Sequence, residues 1–276
     1  MENEAISAPS PRPASEKRIE AAAATDAGRR QTNADAYLVD ETAGLFAVAD
    51  GVGDTPRSGL IARMALEAVR ELFLSPWSLL PPAERSAGEA AERLTLGVLQ
   101  ANGRLHDRRR SEGQRAVTTF AGVVVCADGL CVAHVGDSRV YLARPSTGKV
   151  VKVTEDHTAM SDAFWRGVPC DIAAALPNAH ALTCALGLRS SLTVRPIVHR
   201  WAPGDVVLVC TDGVTDRLDN AAVARAVLGP GDVAAIAQRL VERAGEAGGH
   251  DNATVVFVRR LGADVTGGLV TLNQGS

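Results

Sequence analysis

Leu45-Phe46-Ala47-Val48-Ala49-Asp50-Gly51-Val52-Gly53 organises the reading of the whole chain. Five apolar residues run without a polar break and end on a carboxylate followed by two glycines one residue apart. An apolar run of this kind, bounded by turn residues, is a buried strand. The acid at its tip is fixed by the sheet yet held out of the core, and the glycines let other groups approach closely, so the tip suits the anchoring of a metal ion. Taken alone, it reads equally well as a strand running into an Asp-Gly turn. The pattern recurs, however. Cys131-Val132-Ala133-His134-Val135 ends on Gly136-Asp137, Val206-Val207-Leu208-Val209-Cys210 ends on Thr211-Asp212-Gly213, and Asp251-Asn252 stands at the near end of the apolar run 254–258.

The composition, 46% hydrophobic and 22% charged over 276 residues, is that of a soluble protein with a sizeable core. One folded domain over residues 21–260 is expected, with a flexible tail at 1–20, where Pro9, Pro11 and Pro13 stand among Ser, Ala and charged residues, and a second tail at 261–276. A net charge of -3 gives no electrostatic reason for a nucleic acid or an anionic membrane as partner, and neither is expected. The five cysteines are odd in number, lack CxxC spacing and sit mostly in apolar runs, which fits buried thiols in a reducing compartment. No run reaches the roughly 18 apolar residues of a membrane helix, and the N-terminus lacks a signal-peptide core, so a cytoplasmic protein is expected.

Along the chain, apolar residues at spacings of three and four predict a helix over 58–74 and a second over 83–109. Residues 118–154 read as a meander of four strands, 120–126, 130–135, 139–143 and 150–153, and the short links imply antiparallel pairing. The stretch 155–181 lacks periodicity and reads as a flap beside a site. Strands at 192–199 and 206–210, helices at 220–228 and 232–244, and a last strand at 254–258 complete the reading.

If the strands share a layer, Asp50, Asp137, Asp212 and Asp251 converge, and like charges about 4 Å apart repel by about 4 kcal/mol at an effective dielectric of about 20. A cation stabilises such a cluster. All-oxygen ligation with little His or Cys nearby points to magnesium or manganese rather than zinc. Two ions sharing a carboxylate can clamp a phosphate and acidify water for in-line attack.

The order Arg30-x-x-Asn33-x-Asp35, Ala49-Asp50-Gly51-Val52-Gly53, Thr118-Thr119, Val135-Gly136-Asp137-Ser138-Arg139, Thr154-x-Asp156-His157, Ala185-Leu186-Gly187, Cys210-Thr211-Asp212-Gly213-Val214-Thr215-Asp216 and Gly249-His250-Asp251-Asn252-Ala253-Thr254 closely resembles the metal-dependent protein phosphatase family of the protein phosphatase 2C type, in its bacterial form. The resemblance covers residues 21–259 and implies an α+β fold, a four-layer α-β-β-α sandwich of two antiparallel sheets flanked by helices. It implies a serine/threonine protein phosphatase with phosphoprotein substrates and a cognate kinase. Two catalytic Mn2+ or Mg2+ ions and a weaker third are implied, with direct attack of metal-activated water. Asp50 matches the carboxylate bridging two metals and Gly51 the residue whose carbonyl completes the second site. Asp212 and Asp251 match the remaining ligands of the first metal, and Asp137, sharing Asp212, a ligand of the third. Arg30 matches the arginine that grips the substrate phosphate, and Asp35 an acid close behind the metals; these two are the candidate catalytic residues. Residues 155–181 match the family's variable flap.

The chain departs from that pattern at three places. Ala34 stands where an acidic or amide residue usually helps hold the second metal, which implies weaker binding of that ion. Asp54 stands where a glycine is common. Val52 replaces a histidine that some eukaryotic members use as general acid, so leaving-group protonation is unassigned. Ala34 also keeps open an alternative, a catalytically weak phosphoprotein-binding regulatory module of the same fold. A phosphatase for small phosphoesters is the remaining rival.

Overall fold

The computed structural model describes residues 19–112 and 116–262. Ten strands form two antiparallel five-stranded sheets. Sheet I has the order β1 (Ile19–Asp26), β10 (Ala253–Arg260), β9 (Val206–Cys210), β6 (Arg139–Arg144), β7 (Lys149–Lys152). Sheet II has the order β2 (Asp35–Asp40), β3 (Leu45–Asp50), β4 (Phe120–Val125), β5 (Leu130–Val135), β8 (Ile197–His199).

The apolar runs are continuous because these strands are covered on both faces. On β3, Leu45, Ala47 and Ala49 pack under helices α1 (Pro56–Arg70) and α2 (Ala87–Glu112), while Phe46 and Val48 face the other sheet. On β10, Val256 and Val258 meet them in the inter-sheet core, and Val255 and Phe257 point to helices α6 (Asn220–Val227) and α7 (Val233–Glu246). Three apolar layers thus hold four structural ones together, the expected α-β-β-α sandwich. The sheet-facing core consists largely of Val and Ala, small enough for two sheets to close at ordinary spacing.

Four expectations change. The four-strand meander is split: β4 and β5 pair in sheet II, whereas β6 and β7 pair in sheet I, and residues 136–138 carry the chain across. Strands buried on both faces carry no polar alternation that would assign them to one sheet. The strand expected at 192–199 is hydrogen-bonded only over Ile197–His199; Leu192 and Val194 pack on the α1–α2 core without joining a ladder, and Pro196 has no N–H to offer one. Ile19 and Glu20 belong to β1 and not to a tail, since Ile19 pairs with Arg260 across the sheet. The remainder of that expected tail, residues 1–18, and the C-terminal one beyond 262 lie outside the described residues. The patternless stretch 155–181 contains two short helices, α3 (Ala159–Trp165) and α4 (Cys170–Ala174), with Phe164, Trp165 and Ile172 exposed.

Antiparallel pairing puts the end of β1, the start of β2, the ends of β3, β5 and β9 and the starts of β6 and β10 on one rim. All the candidate site residues lie there.

Candidate active site

Strand register places Asp35 directly opposite Asp50 on neighbouring strands. The Asp50 backbone is held from the far side: its N–H donates to Thr119 Oγ1 at 2.9 Å, and its carbonyl accepts from Thr118 Oγ1 at 2.7 Å and from the Thr119 N–H at 2.9 Å. Thr119 Oγ1 also meets Ser138 Oγ at 2.7 Å, which ties the Asp137 loop to the Asp50 strand. Gly51 donates its N–H to the Ala34 carbonyl at 3.1 Å, and a Cβ there would collide with the Ser58 carbonyl of α1. Only glycine fits at this position.

Asp35 is buried, and Thr211 Oγ1 donates to its Oδ2 at 2.8 Å. Burial pushes its pKa up to about 6, against the hydrogen bonds from Thr254 and Thr211. Asp212 opens the one-turn helix α5 (Asp212–Thr215) directly after β9. Asp50 and Asp212 are both pushed well above the usual carboxylate range, first by burial and then by mutual repulsion; Asp50 feels Asp212, Asp35, Asp137 and Asp251, and Asp212 feels Asp137, Asp216, Asp35 and Asp251. Burial, with Asp156 and Asp216 nearby, takes Asp137 to about 6. These carboxylates therefore do converge.

The loop that joins β1 to β2 is drawn against them. Gly28 has φ +59°, accessible without strain to glycine, and a Cβ there would run into the Asp251 carbonyl. Asn252 is the clamp: its Nδ2 donates to the carbonyls of Ala27 and Thr32 at 2.9 Å each, and its Oδ1 accepts the Ala34 N–H at 2.7 Å. This fixes Arg30, whose Nη2 donates to Asp251 Oδ2 at 2.7 Å and whose Nε donates to the His250 carbonyl at 3.2 Å.

The donor set suits a hard divalent cation. It is all oxygen, largely withdrawn from water except at the half-exposed Asp251, and burdened with negative charge that Arg30 alone does not balance. Among the described residues no three His, Cys, Asp or Glu side chains form a ready-made cage. A protein phosphatase 2C family model matches residues 26–252.

The chain belongs to the protein phosphatase 2C family.

A serine/threonine phosphatase Stp of Listeria welshimeri is 24% identical over 243 residues, 86% of this chain and 94% of that protein. The PPM Ser-Thr phosphatase MsPP of Mycobacterium smegmatis, solved with cacodylate, is 33% identical with a TM-score of 0.73, covering 88% of this chain and 98% of that one. The catalytic domain of PstP, solved with two manganese ions, is 27% identical with a TM-score of 0.72, covering 88% and 99%.

Against the protein phosphatase 2C pattern, two of the departures acquire partners. Ala34 is buried and serves through its backbone, accepting from Gly51 and donating to Asn252. Asp54 faces Arg30, with its Oδ2 3.7 Å from Nη1. His157 is structural: its Nδ1 accepts the Gly136 N–H at 3.1 Å, its own N–H donates to the Gly136 carbonyl at 2.9 Å, and its ring stacks on His134 at 4.7 Å. It props the Asp137 loop.

Two contributors carried no role in the sequence reading. Asp216 acts on both Asp137 and Asp212. Its spacing of four from Asp212, on a turn that proves helical, was the available signal. Asn252 had no comparable signal, because its partners lie 218 to 225 residues away.

Proposed function

We propose that this protein is a metal-dependent serine/threonine protein phosphatase that hydrolyses phosphoserine and phosphothreonine in phosphoproteins. One observation carries the reading: buried carboxylates that raise one another's pKa stand at the same rim as an arginine tethered to their neighbour Asp251. Asp50 would bridge two ions, the Gly51 carbonyl would complete the second site, and Asp212 and Asp251 the first, with Asp137 and Asp212 serving a weaker third. Bound there, Mn2+ or Mg2+ supplies neutralisation of the phosphate charge and acidification of water. Arg30 grips the phosphate through its planar fork. Asp35 acts from behind, linking Asp50 to Thr211.

No side-chain nucleophile is needed. Burial pushes the thiols of Cys126, Cys131 and Cys210 up to about 12, so none is a nucleophile at neutral pH. The reaction type proposed is direct hydrolysis by water. A cognate serine/threonine kinase would supply the substrates, and a cytoplasmic setting fits free thiols. No helix among the described residues is long and apolar enough to cross a membrane.

The test is manganese-dependent hydrolysis of an aryl phosphate and of phosphothreonine peptides, run beside Asp212→Asn. Turnover of both by the wild type, far above the variant, is expected. Aryl phosphate turnover without peptide turnover would move the assignment to small phosphoesters. A wild type no faster than the variant would sink the enzymatic reading.

A further inference from the structure

Arg30 has five N–H donors, two of which make hydrogen bonds within the protein. Nε donates to the His250 carbonyl at 3.2 Å, and one hydrogen of Nη2 goes to Asp251 Oδ2 at 2.7 Å. Asp54 Oδ2 stands 3.7 Å from Nη1, an ion-pair contact too long for a hydrogen bond. Each terminal nitrogen then keeps at least one N–H to offer. That parallel pair is what a phosphate takes in a bidentate grip.

Asp54 is itself firmly placed. Its Oδ1 accepts from Thr32 Oγ1 at 3.3 Å, and Thr32 offers its carbonyl to the Asn252 clamp at 2.9 Å. On its other side, Thr55 is the N-cap of α1, accepting from the Ser58 N–H, and Ser58 Oγ reaches back to the Val52 carbonyl at 3.4 Å. The carboxylate thus has one hydrogen bond, from Thr32, its backbone leads into the anchored cap of α1, and its charge faces the arginine. The side chains of Arg30 and Asp54 are 37% and 43% exposed, so the pair borders the open site rather than the core.

We propose that Asp54 is a positioning residue for substrate phosphate: it holds Nη1 of Arg30 opposite the tether to Asp251, so that the guanidinium presents its terminal pair outward. This deepens the phosphatase reading and rests on it. Without Asp54 the guanidinium has carboxylate contact on one side only and turns toward Asp251, withdrawing the fork.

The experiment is steady-state hydrolysis of an aryl phosphate with manganese, together with inhibition by inorganic phosphate, for wild type, Asp54→Asn, Asp54→Glu, Arg30→Lys and the Arg30→Lys/Asp54→Asn double variant. Asp54→Asn should raise KM and the phosphate inhibition constant together by about fivefold, near the upper end for a partly exposed ion pair, with a smaller change in kcat. Asp54→Glu should return both to within about twofold of wild type. In the Arg30→Lys background, Asp54→Asn should change KM by less than about twofold, because the partner it positions is gone. Unchanged KM and inhibition constant in Asp54→Asn, or an undiminished effect in the lysine background, would overturn the positioning role while leaving the phosphatase reading intact. A wild type no more active than Asp212→Asn overturns both.

Discussion

Asp156 and Asp50 are acids of one type at one rim, both pushed upward by burial, and the protein treats them in opposite ways. Asp156 is gripped by Arg139 through Nε at 3.0 Å and Nη2 at 2.6 Å, and Lys152 adds a contact at 3.3 Å. Burial tends to raise its pKa, but those cations outweigh it and hold the carboxyl below its ordinary value. Asp50 is raised by burial and then by four further acids. A buried acid matched to its cations builds structure; a set left unmatched is held ready for a cation from outside. The same folding energy that shelters Asp156 is used to keep Asp50 and Asp212 near one another against their repulsion.

The sharpest way to break this contrast is to neutralise one acid of each kind. Asp212→Asn should lower kcat/KM by about a thousandfold, roughly 4 kcal/mol of transition-state stabilisation, while the metal-free protein melts no lower than wild type, because a repelling charge has gone. Calorimetry of both proteins in chelator decides it; a large drop in melting temperature would show Asp212 to be structural. Asp156→Ala should behave the other way. It leaves Arg139 with its buried partner missing and should cost about 3 kcal/mol in urea unfolding. A loss near zero would erase the distinction.

A titration sharpens the comparison without mutation. The native carboxyls of Asp35 and Asp137 hold their protons to about 6, above their unfolded values, so between about pH 4 and pH 6 the folded state binds more protons than the unfolded chain. Stability of the chelated protein should therefore fall as pH rises through that window, by about 5 kcal/mol for the two groups together. Asp156, shifted downward, contributes the reverse slope at lower pH, where its stabilisation is lost as the pH falls. Manganese should raise the melting temperature more at pH 7 than at pH 5, since it binds the deprotonated cluster. Equal gains at the two values would contradict the account.

The smallest expected effect concerns Ala34. Ala34→Glu should tighten the weaker manganese site by about tenfold, about 1.4 kcal/mol, as read by titration calorimetry. An unchanged isotherm would mean that this position, used here for its backbone, does not limit metal affinity.

Much of this was legible from the chain alone, and for identifiable reasons. Asp50, Asp137, Asp212 and Asp251 could be picked out because each terminates an apolar run, and a strand tip is a local signal. The helices at 56–70 and 233–246 could be read from one apolar stripe each. The order of strands could not. β5 and β6 are three residues apart, yet join different sheets, and nothing in their mainly apolar interiors states which neighbour each prefers. The hydroxyls of Thr118, Thr119, Thr211 and Thr254 were visible in the motifs but not their work, since each acts across long stretches of sequence on a backbone or carboxylate that only the folded chain brings near.

The Asn252 clamp has a consequence for the life of the molecule before it is complete. Arg30 is made early in synthesis, but the amide that shapes its loop and the carboxylate that tethers it come more than 200 residues later, just ahead of the final strand. β10 also provides the inner partner of β1. A chain interrupted just before residue 251 carries most of the sandwich's residues but lacks the Arg30 tether, the Asn252 clamp and one of the four acids. The tether on Arg30 and the last of the four acids thus join the site only after most of the domain has been made.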